Sequence, residues 1–424
     1  MRGARASWFN DPSGHERLYV LEAGPPVAQT GQPPLVLIHG VGSIGIRDYY
    51  PALAQLSRTR HVIAIDLPGF GRSDPQDDDF GPERLAHSVD TVVRTCAPGK
   101  IDVVGHSSGG ALAVLFAARR ADVVRRLVLV DVAGILRPEI LLHGQLHQTL
   151  TPMRERVPRI TKAVETTGSV MIEAIQALVP SARTVTNTGL LGKNPGLLAA
   201  SALLDFNFGP SIAEITAPTL ILWAEEDHVV PIRIARLLAA RIAQSEIKFI
   251  KDAGHVPMKD QPDSTAALVN EYLSGPKPAP RKAAIALSEK LPDGACSEQD
   301  DATLTGDFDN VVIVRCKNFR LHDARARHLT IRKSDGHVED TEISHGLITD
   351  EANLTITGGS LRGAVALEAS DSEIDIAGTL IVGTEAALRV KTKSTLVLSV
   401  SKLQSPKTNA FLHQELKAAA GDEW

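Results

Sequence analysis

Residues 105–109 read G-H-S-S-G, directly after the apolar run Ile101–Val104 and directly before an alanine-rich stretch that begins at Ala111. A serine at such a junction can be held out for attack by a strained strand-to-helix turn, where flanking side chains would collide; Gly105 and Gly109 remove them. A helix starting just after Ser107 leaves the backbone N–H of Ser108 at its N-terminus, pointing where an oxyanion would form. A serine hydroxyl is a poor nucleophile until a base takes its proton. The candidate base is His255, in the D-A-G-H-V-P loop after a late strand. The base needs an acid to fix its tautomer and stabilise the imidazolium. Asp227 ends the preceding strand in W-A-E-E-D-H-V-V-P, with Glu225, Glu226 and Asp131 as competitors for that role. A second oxyanion donor is expected from H-G-V-G (39–42), with the Val41 N–H as candidate. Two such donors would supply on the order of 3 kcal/mol each.

These residues need a scaffold that brings distant loops to one edge. Short apolar runs at Arg17–Leu21, Leu35–Ile38, His61–Ile65, Ile101–Val104, Leu127–Val130, Thr219–Trp223 and Ile247–Ile250 alternate with helical patterns such as Pro82 onward, Ala111–Arg120, Pro231–Ala243 and Pro262–Leu273. Runs that are β-branched and apolar on both faces read as buried parallel strands, and their alternation with helices reads as a doubly wound sheet. In such a sheet function gathers beyond the carboxyl ends of the strands. Residues 134–217 contain no convincing strand but several helical stretches, among them Met171–Leu178 and Leu197–Leu204, and are expected to form a helical lid.

Residues 274–300 turn rich in proline, lysine, alanine and acids, so 1–274 is expected as one domain and 275–300 as a linker. Beyond it a short β-branched motif recurs at Asn310, His328, Asn353, Glu373 and Thr395, spaced 18, 25, 20 and 22 residues apart. That recurrence, with Gly, Ser and Asp corners, predicts a right-handed parallel β-solenoid of about five coils over 301–412, followed by a tail, 413–424; a small antiparallel sandwich is the alternative.

The 424 residues carry 45 basic and 50 acidic side chains, a formal charge of −5, without long runs of either sign, so neither nucleic acid nor an anionic membrane is indicated as a partner. Three cysteines, Cys96, Cys296 and Cys316, are odd in number and far apart, and suggest neither a disulfide framework nor a thiolate metal site. The N-terminus lacks the apolar core of a signal peptide, and no segment reads as a membrane span. A soluble protein of a reducing, cytoplasmic compartment is expected.

Residues 16–275 resemble the α/β-hydrolase superfamily. The likeness rests on H-G-V-G (39–42), D-L-P-G-F-G-R-S-D (66–74), G-H-S-S-G-G (105–110), P-T-L-I-L-W-A-E-E-D-H-V-V-P (218–231) and D-A-G-H-V-P (252–257), in that order and each at a strand end. The resemblance implies a triad of Ser107, Asp227 and His255, an α/β-hydrolase fold with a helical lid, and no metal or other cofactor. It favours Asp227 over its competitors by position. The early block is similar to the branch of carboxylesterases, perhydrolases and meta-cleavage-product C–C hydrolases; the last usually carry tryptophan after the histidine, where Val256-Pro257-Met258 stands here. Serine at 107 argues against dehalogenases and epoxide hydrolases, which place aspartate there. The resemblance does not reach the C-terminal repeats.

The expected activity is hydrolysis of a small or medium ester or thioester with an apolar acyl part, through an acyl-enzyme. Acyl transfer to an alcohol, amine or peroxide, and C–C hydrolysis, use the same residues. A reading of another class makes the chain a binding or scaffolding module, and the C-terminal β domain is expected to mediate self-association or contact with a partner. His39 and His106 flank the site; each is a possible substrate contact but more simply a loop-shaping hydrogen-bond group. Asp66 and Ser73 are expected to brace their own loop. Glu139, His143 and His147 are spaced by four, yet Gly144 weakens the helix that a metal site would need; a polar helix face, or substrate contact by His143 and His147, is the simpler reading.

Overall fold

A computed structural model describes residues 4–11, 17–41, 44–75, 80–137, 195–280 and 291–424. The chain divides into two compact units, residues 1–235 with 242–281, and residues 282–424 with 236–241. No described helix is long and apolar enough to cross a membrane.

The first unit is built on an eight-stranded sheet of order β1-β2-β4-β3-β5-β6-β7-β8. Its strands are β1 (Arg5–Asn10), β2 (Arg17–Ala23), β3 (Leu35–Ile38), β4 (Val62–Ile65), β5 (Ile101–His106), β6 (Val124–Val130), β7 (Thr219–Ala224) and β8 (Ser245–Ile250). From β4 to β8 all neighbours are parallel, whereas β1 and β2 add as antiparallel strands at one edge. The central strands β3, β4 and β7 are buried at every position, as a sheet covered on both faces requires. The edge strand β1 (R-A-S-W-F-N) alternates without an apolar run, and sequence periodicity did not reveal it.

The helices sit where the sequence starts them. Helix α1 (Tyr50–Leu56) and α2 (Pro82–Cys96) both open with proline in the first turn, and α2 buries Leu85, Val89, Val92 and Val93. Helix α3 (Ser108–Arg119) is buried along ten of its residues, which explains a composition of Ala, Gly, Leu and Val with almost no polar face. Of the expected lid, the described part contains α4 (Pro195–Asp205) and α5 (Gly209–Glu214). Glu139, His143, His147 and Met171–Leu178 lie outside the described residues. Helices α6 (Arg233–Arg241), α7 (Pro257–Asp260) and α8 (Pro262–Ser274) follow β7 and β8. At the start of β5 the buried Asp102 carboxylate takes Arg60 at 2.9 Å and Arg125 at 2.5 Å; burial, the largest influence, pushes its pKa up against both cations. Removing either arginine would leave a buried charge undercompensated.

The second unit is a parallel β-solenoid. Twelve strands, from β9 (Gly294–Ser297) to β20 (Asn409–Ala418), pair in parallel except for the last, which closes antiparallel on β19 (Ser394–Gln404). Three ladders of inward side chains make its core: Val311–Leu329–Leu347–Leu367–Leu388, Leu321–Val338–Ile356–Ile376–Leu398, and Ala326–Ile343–Leu361–Ile381–Leu403. All fifteen are buried. Corners recur at Arg315, Lys333, Glu351 and Asp371, each in the left-handed region, and each N–H bonds to the next coil.

Three sequence expectations change here. Asn310 pairs with His328, and Asn353 with Glu373, which pairs with Thr395; the 25-residue step from His328 to Asn353 crosses from one face to the next, because Asn353 pairs with Asp335. The true period grows from 17–18 residues (Thr303 to Arg320, Asn310 to His328) to 22 (Leu380 to Lys402). β9 falls inside the expected linker, and β20, with Trp424 bonded to the backbone of Leu388, takes up the expected tail. Finally, Cys296 and Cys316 form a disulfide, leaving only Cys96 free. Separation along the chain misled because one solenoid turn brings residues 20 apart into contact. The cysteine argument for a reducing compartment falls with it, since such bonds persist mainly in oxidising ones.

Candidate active site

Ser107 occupies the sharp turn between β5 and α3, with φ 54° and ψ −126°, a conformation costly for any residue with a side chain. The turn is possible only because its neighbours are bare. A Cβ at Gly105 would lie 2.4 Å from the Gly109 carbonyl oxygen, and one at Gly109 would lie 2.3 Å from the His39 carbonyl oxygen. The 39–41 loop passes so close that a Cβ at Gly40 would sit 2.9 Å from the Ser107 Cβ.

The residues proposed from sequence meet at this point. Ser107 Oγ lies 2.9 Å from His255 Nε2, and His255 Nδ1 lies 2.8 Å from Asp227 Oδ2. Asp227 Oδ1 accepts the backbone N–H groups of Val229 (2.7 Å) and Val230 (3.1 Å), which fixes the carboxylate plane. Its side chain is fully buried, and that of His255 is 13% exposed. Glu225 and Glu226, in the same turn, are exposed. This arrangement puts His255 Nδ1 against the Asp227 carboxylate and Nε2 against the Ser107 hydroxyl.

Backbone supports set the histidine loop. His106 Nε2–H donates to the His255 carbonyl at 2.7 Å, and Asp260 Oδ2 accepts the Gly254 N–H at 3.0 Å. Burial, followed by the neighbouring His255, lowers the His106 pKa to about 4, so this ring is a neutral donor. His39 is fully buried; its Nε2 accepts the Leu67 N–H at 2.9 Å, which leaves Nδ1–H to donate to the Gly40 carbonyl at 2.6 Å. His39 and His106, possible substrate contacts by sequence, are thus both engaged with backbone. Asp66 accepts the N–H groups of Ile46 (2.7 Å) and Arg72 (2.9 Å), and Ser73 Oγ–H donates to the Asp66 carbonyl while accepting the Tyr19 N–H; the pair brace their loop as expected.

Val41 and Ser108, the expected oxyanion donors, line one cavity together with Ala133, Gly134, Leu136, Ala200, Leu203, Leu204, Val229, Val230 and Ile234. Nearly all of that lining is apolar. The α4 residues Ala200, Leu203 and Leu204 escaped sequence reasoning, since nothing local in an apolar helix says which face meets a site.

One further acid stands beside the trio. Asp131 follows β6, is fully buried, and adopts φ 42°. Oxygens of Asp131 and Asp227 and a nitrogen of His255 lie within 4.8 Å of one another. In this arrangement Asp227, not Asp131, makes the hydrogen bond to His255.

Comparison with known proteins agrees with this architecture. Residues 35–268 match the alpha/beta hydrolase family. Lipase 1 of Psychrobacter immobilis is 28% identical over 240 residues, covering 55% of this chain and 74% of its own. The 2-hydroxy-6-oxo-6-(2'-aminophenyl)hexa-2,4-dienoic acid hydrolase of Metapseudomonas resinovorans is 26% identical over 289 residues, covering 63% and 90%. Among solved structures, a thermophilic esterase from Thermogutta terrifontis is 22% identical with a TM-score of 0.47, over 63% of this chain and 98% of its own. With more than half of its length matched to the family, this chain belongs to the alpha/beta hydrolases.

Proposed function

We propose that the protein is a serine hydrolase that cleaves a carboxylic ester or thioester with an apolar acyl part. The observation that carries this is the unbroken chain of short contacts from Ser107 Oγ through His255 to Asp227, beside an apolar cavity. Ser107 Oγ attacks the carbonyl carbon while its proton passes to His255 Nε2. The imidazolium so formed is held by the Asp227 carboxylate, and the N–H groups of Val41 and Ser108 take the developing oxyanion. His255 then gives its proton to the leaving alcohol or thiol. Water, deprotonated by the same histidine, attacks the acyl carbon; the bond to Ser107 Oγ breaks, the acid leaves, and His255 returns the proton to Oγ. The apolar cavity supports an acyl group without charge, since a carboxylate buried there would lack partners.

The test is an ester panel of graded acyl length assayed on wild type and Ser107→Ala. Activity that rises with acyl length to the capacity of the cavity, and falls by about 10⁵-fold or more in the variant, is expected. Equal activity in the two proteins would overturn the assignment. C–C hydrolysis is the second reading, favoured by the aminophenyl-hexadienoic acid hydrolase among the relatives. A vinylogous 1,5-diketone acid cleaved faster than any ester would establish it. Product partitioning with an added alcohol separates hydrolysis from acyl transfer.

A further inference from the structure

Asp131 has no task in the mechanism above, yet it is fully buried beside the trio. Its side chain is closed off from solvent, its backbone is held at φ 42° at the carboxyl end of β6, and its N–H is tied to the Leu222 carbonyl at 3.1 Å. Oδ1 accepts the Ala224 N–H at 2.8 Å. Oδ2 is buried without a hydrogen-bond donor among the described residues. A buried carboxylate oxygen with no donor is costly, and a protonated one becomes a donor in search of an acceptor. The neighbouring acceptor is the Asp227 carboxylate: oxygens of Asp131 and Asp227 fall within 4.8 Å of each other and of a His255 nitrogen.

We propose that Asp131 is a second acid of this site: a neutral carboxylic acid that gives its proton as a hydrogen bond to the Asp227 carboxylate, and that takes over the His255 Nδ1–H when Asp227 is removed. The two acids that face it among the described residues, Asp227 and Asp260, favour the neutral form, and the third titratable neighbour is the His255 imidazole. Burial is the largest influence and Asp227 follows; the Ala224 N–H opposes them, and Asp260 on α7 adds a second negative charge. Two carboxylates at this separation cannot both ionise cheaply, and Asp227 already accepts two backbone N–H groups and the His255 ring. Asp131 thereby steadies the acid that orients the base. Loss of Asp227 removes the nearer of the two negative charges and leaves the His255 imidazole without its acid, so the Asp131 carboxyl becomes the partner of Nδ1–H.

This rests on the serine-hydrolase reading, and two of its tests need no activity at all. The full chain is compared with Asp131→Asn, Asp227→Ala and the double variant. The infrared spectrum of the wild type at neutral pH should carry a protonated-carboxyl C=O band that Asp131→Asn lacks. The unfolded chain ionises residue 131 above its ordinary pKa of 3.8, whereas the native state keeps the proton. Wild type therefore loses stability relative to Asp131→Asn as pH rises, and the melting-temperature gap in favour of the variant should widen from pH 4 to pH 8. In kcat/KM, Asp131→Asn, which loses the carboxyl that steadies Asp227, should fall by about threefold to tenfold. Asp227→Ala should fall by about 10², well short of the roughly 10⁴ typical of a lost triad acid, and the double variant should fall at least tenfold further. No band at neutral pH, a gap that does not widen, or a double variant no worse than Asp227→Ala would each overturn the proposal. Should Ser107→Ala retain full activity while the band and the gap are present, the hydrolase reading fails and the carboxyl pair stands.

Discussion

His106 is two things at once, the residue that precedes Ser107 in the β5–α3 turn and the donor that holds the backbone of His255. It donates from Nε2 to the His255 carbonyl, and its pKa of about 4 keeps it neutral. The unfolded chain protonates this ring near the ordinary 6.5, so acid favours unfolding: stability falls as pH drops from about 6.5 to about 4, by about 3 kcal/mol in all. His106→Gln keeps a donor and has no such titration. Its loss of stability between pH 6.5 and 4, measured by urea unfolding, should be smaller than that of wild type by an amount of this order. The sequence put Ser107, Asp227 and His255 at or after the ends of apolar strand runs, with Asp227 preferred over Glu225, Glu226 and Asp131 only by resemblance, and the fold brings these three side chains within hydrogen-bond distance. The hold of His106 on His255, across 149 residues, and the donorless oxygen of Asp131 were not legible in the sequence, because both depend on long-range placement and side-chain orientation that no local pattern encodes.

At the scale of elements, the turn from β5 into α3 is a packing problem solved by glycine. The Cβ of Gly109→Ala would meet two backbone carbonyl oxygens, of His39 at 2.3 Å and Ile38 at 2.5 Å, and neither can move without shifting β3. Such overpacking should cost about 1–3 kcal/mol and displace the loop carrying Val41, so the melting temperature and the turnover should fall together. The strands of the sheet were readable from their buried, β-branched runs, whereas β1 was not, having no such run. In the second unit the β-branched repeat was readable but its period was not. Coils that lengthen from 17 to 22 residues, with strands on three faces, let a motif on one face be mistaken for the same motif on the next. The Cys296–Cys316 bond closes a 20-residue loop across the first coil. Replacing Cys296 with Ser should lower the stability of the β unit by about 3 kcal/mol, read as a shift of its denaturant midpoint with little change in ester turnover.

At the scale of the molecule, two units with separate cores share one chain. The solenoid is finished at one end by the antiparallel strand β20, while at the other the first half of β10 (Thr303–Val314) has no strand on its outer side among the described residues, because β9 covers only Val311–Val314. Open strand edges recruit other chains, and this supports association through the β unit. A chain cut after Pro280 should keep turnover and lose any oligomer that the full chain forms, as read by light scattering. The cut must fall there and not at Ser274, because the Arg126 guanidinium bonds to the Tyr272, Gly275 and Pro276 carbonyls and so anchors the end of the first unit. An unchanged oligomer in the shortened chain would place self-association elsewhere. Whether Ser107 is a nucleophile activated by His255 is tested most directly by treating the folded protein with a fluorophosphonate and locating the adduct by mass spectrometry. One phosphonyl group on Ser107, formed quickly in wild type and at least about 10³-fold more slowly in His255→Ala, is expected. An unlabelled Ser107 in the native protein, or labelling equally fast without the histidine, would contradict it.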